Sequence, residues 1–467
     1  MADGGARQAP GGGAGGLLRF VVELAPLAGW ARAWTGGRPA VHVGNVAEFN
    51  AQFADASLDR EQRAAHHYAC LAAFYSPLPA ALVLPRTVPA GWVELLARQL
   101  EWQDVQVYDG LAAGGGSRAD GGPALSAAVG ARPALAAQLT GLGLPLVPWG
   151  RTGPFARLTR TPWRPEALRY ESKAQAHALF ERIAAGGGHP DVVVPAQWRA
   201  GTRRAAVRLL AARAKAGRGT VLKSEHGVGG SGTTVVTARD VARAGGARAV
   251  VRRLPRGPLL VEEYVAGPGP DGVRDLTYDG FVDEDGRVHE VGAALMDVAG
   301  TGYQGATTGP GVVPDWAGKP LLAFGEAVGR ELSAAGYRGW FDVDFVADGL
   351  GRLAPTETNL RLTGPAVAFM VRARLDDLRG GAHRVRVVDR VALGARLPEA
   401  PLTELFTVMA RRCAALDAVF LPAIPTAAFE PAPWFGAVVA ARSAAALDAA
   451  TDVVRAEARR VGAQFQE

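Results

Sequence analysis

Along the first third of the chain, short apolar runs alternate with stretches of helical period. Ala40-Val41-His42-Val43-Gly44-Asn45 reads as a buried strand ending in a loop, 58–73 as a helix and Ala81-Leu82-Val83-Leu84-Pro85 as a second strand. A helix over 92–100 and a strand over Val105-Gln106-Val107-Tyr108 follow. After a glycine-rich linker at 111–122, Leu144-Pro145-Leu146-Val147-Pro148-Trp149 closes the segment. Strands alternating with helices predict an open α/β domain within 17–160, centred on 35–160.

The pattern then changes. Ser172 stands where an N-cap would open a helix running through Ile183. Val192-Val193-Val194-Pro195 is a short extended piece, and a helix over 201–216 precedes an apolar strand that ends in Lys223. From Leu259 the text is rich in strands, with Asp-Gly pairs at Asp271, Asp279 and Asp285 that suit hairpin turns. After Met370 it alternates again, with 385–391 extended, 402–416 helical and 444–461 a long amphipathic helix. No internal repeat is present. The expected domains are a disordered tail at 1–16, then 17–160, 165–375 and 376–467.

Composition narrows the classes. With 467 residues the chain is too long for one ordinary core. Hydrophobic residues make up 48% and charged residues 21%, as in a folded globular protein. The formal charge of +6 comes without a basic run interleaved with aromatics, so nucleic acid is not the expected partner. The apolar stretch 17–30 is broken by Arg19 and Glu23 and is too short to span a bilayer. Residues 1–16 lack the basic start and apolar core of a signal peptide. Cys70 and Cys413 lie in helix-like apolar text without ligand spacing, which fits structural thiols in a reducing, cytoplasmic setting. Membrane association is not expected, and the oligomeric state is open.

The candidate chemistry starts at Lys223. It runs into Ser224-Glu225-His226-Gly227-Val228-Gly229-Gly230-Ser231-Gly232-Thr233. Gly227, Gly229 and Gly232 spell GxGxxG, as do Gly300, Gly302 and Gly305. A dinucleotide fold needs a helix after that motif, and β-branched Thr233-Thr234-Val235-Val236 follows instead. Nor does a Walker loop fit, because Lys223 precedes its glycines. What remains is strand, lysine, glycine turn, strand: a hairpin lid able to close over phosphates. An ordinary glycine-rich hairpin with a surface lysine would spell the same text. His226 lies in that loop, either against phosphate or substrate or simply solvated.

Further on, Asp344 nears the end of one strand, and Glu357, Asn359 and Arg361 share a face of the next by period two. If the hairpin sets Asp344 opposite Glu357, two carboxylates and an amide converge, which suits magnesium with phosphate. A solvent-facing strand with scattered polar residues is the plainer alternative.

Taken together these residues resemble the ATP-grasp superfamily of carboxylate–amine ligases. The set comprises Lys173 after Ser172, Lys223 before the glycines, Val261-Glu262-Glu263-Tyr264-Val265, and Asp344 with Glu357-Thr358-Asn359. The likeness covers about 165–375. It implies an ATP-grasp fold of mixed α/β and α+β class, with an N-terminal open α/β (pre-ATP-grasp) domain and a C-terminal α/β extension.

By that resemblance Lys173 and Lys223 contact ATP phosphates, and Gly229, Gly230, Ser231 and Gly232 with His226 form the lid. Glu262, Glu263 and Val265 hold the adenine edge, and Asp275 is the candidate for ribose. Asp344, Glu357 and Asn359 bind two Mg2+ (or Mn2+) ions. Arg361, with Lys223, acts on the reacting phosphate. The flanks look like pre-ATP-grasp peptide ligases of the pheganomycin type.

The implied reaction joins a carboxylate substrate to an amine or peptide acceptor through an acyl phosphate, in peptide natural-product biosynthesis. An amino-acid ligase making dipeptides and a non-catalytic nucleotide-binding scaffold are the rivals. Outside this set, His66-His67 has no ligand partner in the text and reads as structural. The aromatic loop 429–435 reads as a cap of the C-terminal domain or as a peptide groove.

Overall fold

Apolar runs buried on both faces give parallel strands, and alternating runs give antiparallel ones. Both occur here. The computed structural model describes residues 7–8, 28–53, 55–112 and 124–465. Most of the expected tail 1–16 and linker 111–122 lies outside these; Arg7–Gln8 forms a short edge strand.

Among the described residues the strands form three sheets. The first contains β1 (Arg7–Gln8), β2 (Ala40–Val43), β3 (Pro79–Val83), β4 (Gln106–Tyr108) and β5 (Leu146–Pro148), in the order β1-β4-β3-β2-β5. Strands β2 to β5 pair in parallel, and β2 is buried along its whole length. This is the open α/β unit expected from the first third.

The second sheet is antiparallel and small. It orders β6 (Gln197–Ala200), β7 (Thr220–Lys223), β8 (Thr233–Val236) and β9 (Leu259–Glu263) as β6-β9-β7-β8. The extended piece read at 192–195 contributes only a bridge from Val192 to Leu353, and the strand proper begins at Gln197.

The third sheet is antiparallel and has eight strands: β10 (Asp275–Val282), β11 (Val288–Ala299), β12 (Gly302–Thr308), β13 (Gly339–Ala347), β14 (Leu353–Asn359), β15 (Arg384–Ala392), β16 (Ala418–Ile424) and β17 (Trp434–Ala441). Their order is β14-β13-β10-β11-β12-β15-β17-β16. Strands β15 to β17 therefore extend the sheet begun by β10 to β14, and a boundary at 375/376 falls within one continuous sheet. The fold class is mixed α/β, as expected.

Of the three Asp-Gly pairs, only Asp285-Gly286 turns a hairpin, between β10 and β11. Asp279-Gly280 lies inside β10, opposite a register shift in its pairing with β11, and Asp271-Gly272 lies in a turn between different sheets. The dipeptide reports local backbone freedom, whereas burial decides its setting: Asp279 is fully enclosed.

A 20-residue helix, Asp315–Ala334, is absent from the expected elements. Its Pro320 and glycines depress helix propensity. The glycines serve packing instead. A Cβ on Gly325 would come within 2.2 Å of the Tyr278 ring, and one on Gly329 within 2.6 Å of Val288, so the helix sits close against β10 and β11. Tertiary contact overrides propensity here.

No helix among the described residues is long and apolar enough to cross a membrane. Cys70 and Cys413 are buried free thiols.

Candidate functional site

The site is built on the third sheet. β14 returns antiparallel to β13, and the register sets Asp344 opposite Glu357 and Asp342 opposite Asn359. The convergence expected from period two is therefore present. The Asn359 amide donates to Asp342 Oδ1 at 2.7 Å and lies 3.5 Å from Asp344 Oδ2. On the other side of β13, β10 places Asp279 beside Asp342 and Thr277 beside Asp344.

Burial pushes the Asp344 carboxyl well above its ordinary value, and the charges of Asp342 and Glu357 add to this. Asp342 and Asp279 are raised in the same way, by burial first and then by a neighbouring acid. Asp344 Oδ1 and Asp279 Oδ2 are buried without a hydrogen-bond donor among the described residues. Crowded carboxylates with orphaned oxygens are costly unless a cation joins them. The donor set, two carboxylates and an amide, fits a hard divalent ion.

Cations close in from two sides. Lys173 opens the helix Lys173–Ala185, which Ser172 caps by accepting from the Gln175 N–H. Its ammonium lies 2.6 Å from Glu357 Oε2 and donates to the Gly227 carbonyl, also at 2.6 Å. Burial raises the Glu357 pKa, but Lys173 first, then Lys223 and Arg361, outweigh it and hold the carboxyl below its usual range.

Lys223 ends β7 and pairs with Glu262 Oε1 on the neighbouring β9 at 2.6 Å. The other Glu262 oxygen accepts from Gln197. Arg361 is 4% exposed, and its Nε has no acceptor among the described residues. Beside it Glu171, raised by burial against the pull of Arg361, accepts from the Leu360 N–H.

The glycine loop is seated. Ser224 N–H donates to the Gly232 carbonyl, closing its base. Ser224 Oγ donates to Ser57 Oγ at 2.8 Å, His226 N–H to Asp55 Oδ2 at 2.8 Å, and Ser231 Oγ to the Ser57 carbonyl. On its far side Tyr303 N–H reaches the Gly229 carbonyl. Gly230 has φ +85°, and a Cβ there would lie 1.7 Å from the Thr301 carbonyl oxygen. The loop is thus clasped between residues 55–57 and the β11–β12 turn.

His226 packs against the N-terminal unit. Its ring stacks on Phe53 with centroids 4.9 Å apart, and burial lowers its pKa.

These elements enclose a cavity of about 720 Å³. Lys223, Gly229, Gly230, Ser231, Gly232, Glu262, Glu263, Val265, Asp275, Asp344, Glu357, Asn359 and Arg361 line it. Lys173 reaches it through Glu357. Asp275, at the start of β10, is raised by burial against the pull of Arg274.

The backbone of Glu263 is partly committed within the sheet. Its N–H is committed to the Ala196 carbonyl and cannot serve the edge of a base. The Val265 carbonyl accepts from Arg274. Any recognition by this segment falls to its other backbone groups.

Several residues escape the sequence reading. Asp342 carries a signal, since it shares a strand face with Asp344 two positions on. Asp279 carries none, because only the β10–β13 register brings it near. Asp55 and Ser57 lie 167 or more residues before their loop partners. Tyr68, Asp389 and Arg390 also line the cavity; Tyr68 donates to Asp389 Oδ2 at 3.0 Å.

No protein-family model matches the chain, and no curated protein matches it. Solved structures similar to it include an N5-carboxyaminoimidazole synthase from Aspergillus clavatus in complex with ADP and 5-aminoimidazole ribonucleotide. That likeness has 12% identity and a TM-score of 0.47, over 68% of this chain and 94% of that one. An N5-carboxyaminoimidazole ribonucleotide synthetase from Thermus thermophilus gives 16% and 0.41, over 69% and 77%. A biotin carboxylase from Campylobacter jejuni gives 14% and 0.43, over 76% of each chain. Likeness of this degree assigns no activity.

Proposed function

We propose that the protein is an ATP-grasp carboxylate–amine ligase. The observation that carries this reading is the pairing of Asp344 with Glu357 on the cavity floor, with Lys173 on Glu357 and Lys223 on Glu262 at its edges. Buried acids that lack a cation, facing buried lysines under a glycine loop, suit a magnesium–polyphosphate ligand better than any apolar one.

In this reading ATP lies between the second and third sheets, its base toward Glu263 to Val265 and its ribose toward Asp275. Lys173 and Lys223 offer point charges to the phosphates and release their carboxylate partners as they do so. Asp344, Glu357 and Asn359 would hold Mg2+, which supplies charge neutralisation between the β- and γ-phosphates when bound.

The substrate carboxylate oxygen attacks the γ-phosphorus, the bond to the β-phosphate oxygen breaks, and ADP leaves. Arg361, buried with an unused N–H, steadies the acyl phosphate or the carboxylate that forms it. The seated glycine loop excludes water from that intermediate. The amine then attacks the acyl carbon, phosphate departs, and the amine's proton is lost to solvent. No protein nucleophile is required.

The finer reading is that the acceptor is an amino acid or peptide and that the product is a peptide natural product. It rests on the N-terminal open α/β unit and the C-terminal strands that flank the cavity. Purified protein incubated with ATP, Mg2+ and pooled amino acids and peptides tests it. Amine-dependent ADP release with a new amide mass supports ligation. Nucleotide binding without turnover for any acid–amine pair favours a scaffold instead.

A further inference from the structure

Away from the cavity floor, a pair of histidines acquires the partner that the sequence alone does not supply. His66 and His67 close the helix Asp59–Tyr68, and the loop after β16 brings Glu430 against them from 363 positions away. His66 Nε2 lies 3.0 Å from His67 Nε2, which lies 2.9 Å from Glu430 Oε1. These three ligand atoms all fall within 4.8 Å of one another.

Tetrahedral zinc with bonds of about 2.0–2.1 Å separates its ligand atoms by about 3.3 Å, so small outward shifts would accommodate it. The outer partner is in place as well. His67 Nδ1 lies 3.0 Å from Thr426 Oγ1, which can accept the Nδ1 proton in the tautomer that leaves Nε2 bare for a metal. Arg86 approaches Glu430 Oε1 at 3.5 Å from the solvent side, with its own side chain 48% exposed. The Glu430 side chain is 39% exposed, which leaves room for a solvent ligand in a fourth position.

We infer that His66, His67 and Glu430 form a binding site for a borderline transition-metal cation, zinc in particular, that ties the N-terminal helix to the C-terminal strands. Two imidazoles and one carboxylate suit zinc and not magnesium, so the site is chemically distinct from the acids of the cavity floor. Its position has a consequence. The next residue, Tyr68, lines the cavity, and Trp434 stands 5.8 Å from the Tyr68 ring and 6.3 Å from that of His67. Metal binding would thus fix that wall of the cavity.

The full chain, stripped with a chelator and kept in excess Mg2+, is titrated with Co2+ and then Zn2+. The expected result is saturable uptake of one Co2+ with the intense visible bands of tetrahedral coordination, displaced by Zn2+, and a rise in melting temperature. Glu430→Gln, which keeps the size of a partly exposed side chain, and His66→Gln should each abolish the bands. Thr426→Val should weaken binding by about 10–100-fold. Asp344→Asn should leave uptake unchanged, and circular dichroism verifies that each variant is folded. Absence of saturable uptake by the wild type overturns the inference, as does uptake by folded Glu430→Gln and His66→Gln equal to that of the wild type.

Discussion

The cavity has a floor and a lid, each made by a hairpin, and the two are built in opposite ways. The floor hairpin, β13–β14, has only one neighbour on its inner side, β10, yet it is buried almost throughout and backed by helices. Its acids are held where their charges are least comfortable. The lid hairpin, β7–β8, ends the small sheet at β8, which is only partly buried and exposes Val235. Its loop is held by a handful of hydrogen bonds to residues 55–57 and 301–303. A rigid floor can store electrostatic stress that a ligand relieves, whereas a lid must give it up cheaply to open.

The largest effect should come from the floor. Asp344→Asn and Glu357→Gln should each cut ATP turnover by at least about a thousandfold, since they remove a group that stabilises charge in a water-poor site. Thermal melts distinguish loss of chemistry from loss of fold. Asp344→Asn should melt at or above the wild-type temperature, because it removes a buried charge whose burial is opposed by Asp342 and Glu357. A marked drop in melting temperature would show that the acids serve the fold instead.

The lid should respond next. Gly230→Ala places a methyl against the Thr301 carbonyl at a positive φ, so the loop cannot seat as it does here. Turnover should fall by about 10–100-fold with a raised KM for ATP, and proteolysis within 224–232 should accelerate. Removing one clasp is milder. Ser57→Ala should lower amide formation several-fold and raise the share of ATP hydrolysed without product, read as the ratio of ADP to amide.

The smallest effect is one of pH. Burial raises the Asp55 pKa, but the Ser57 and His226 N–H groups outweigh it and hold the carboxyl below its usual range. Its contribution is therefore fully present above the unfolded value of about 3.9 and is lost as pH falls through the lower folded value. Hydrogen exchange at the His226 amide should stay slow at neutral pH and quicken only below about pH 4, and Asp55→Ala should remove that step.

Floor and lid also differ in how far the sequence reveals them. Asp344 opposite Glu357 is legible because the two strands are adjacent and period two fixes which residues share a face. Asp279 is not, since its strand joins β13 only in three dimensions. For the lid, Lys223 and the β-branched residues after Gly232 identify a hairpin, and β7 and β8 pair as read. The clasp at Asp55 and Ser57 and the turn of His226 toward Phe53 depend on contacts across some 170 residues, which no local pattern encodes.

The same holds for the helix Asp315–Ala334, whose glycines lower its propensity while they let it approach the sheet. The backbone of Glu263 is a related case. Its N–H is spent on Ala196, beside the strand β6 that the sequence reading did not find.

The central claim is that a substrate carboxylate attacks the γ-phosphorus of ATP. Carboxylate substrates labelled with oxygen-18 test it directly, by mass analysis of the phosphate released during ATP- and Mg2+-dependent turnover. Formation of an acyl phosphate predicts one labelled oxygen in the inorganic phosphate and ADP as the nucleotide product. Unlabelled phosphate, or release of AMP with pyrophosphate, would contradict it.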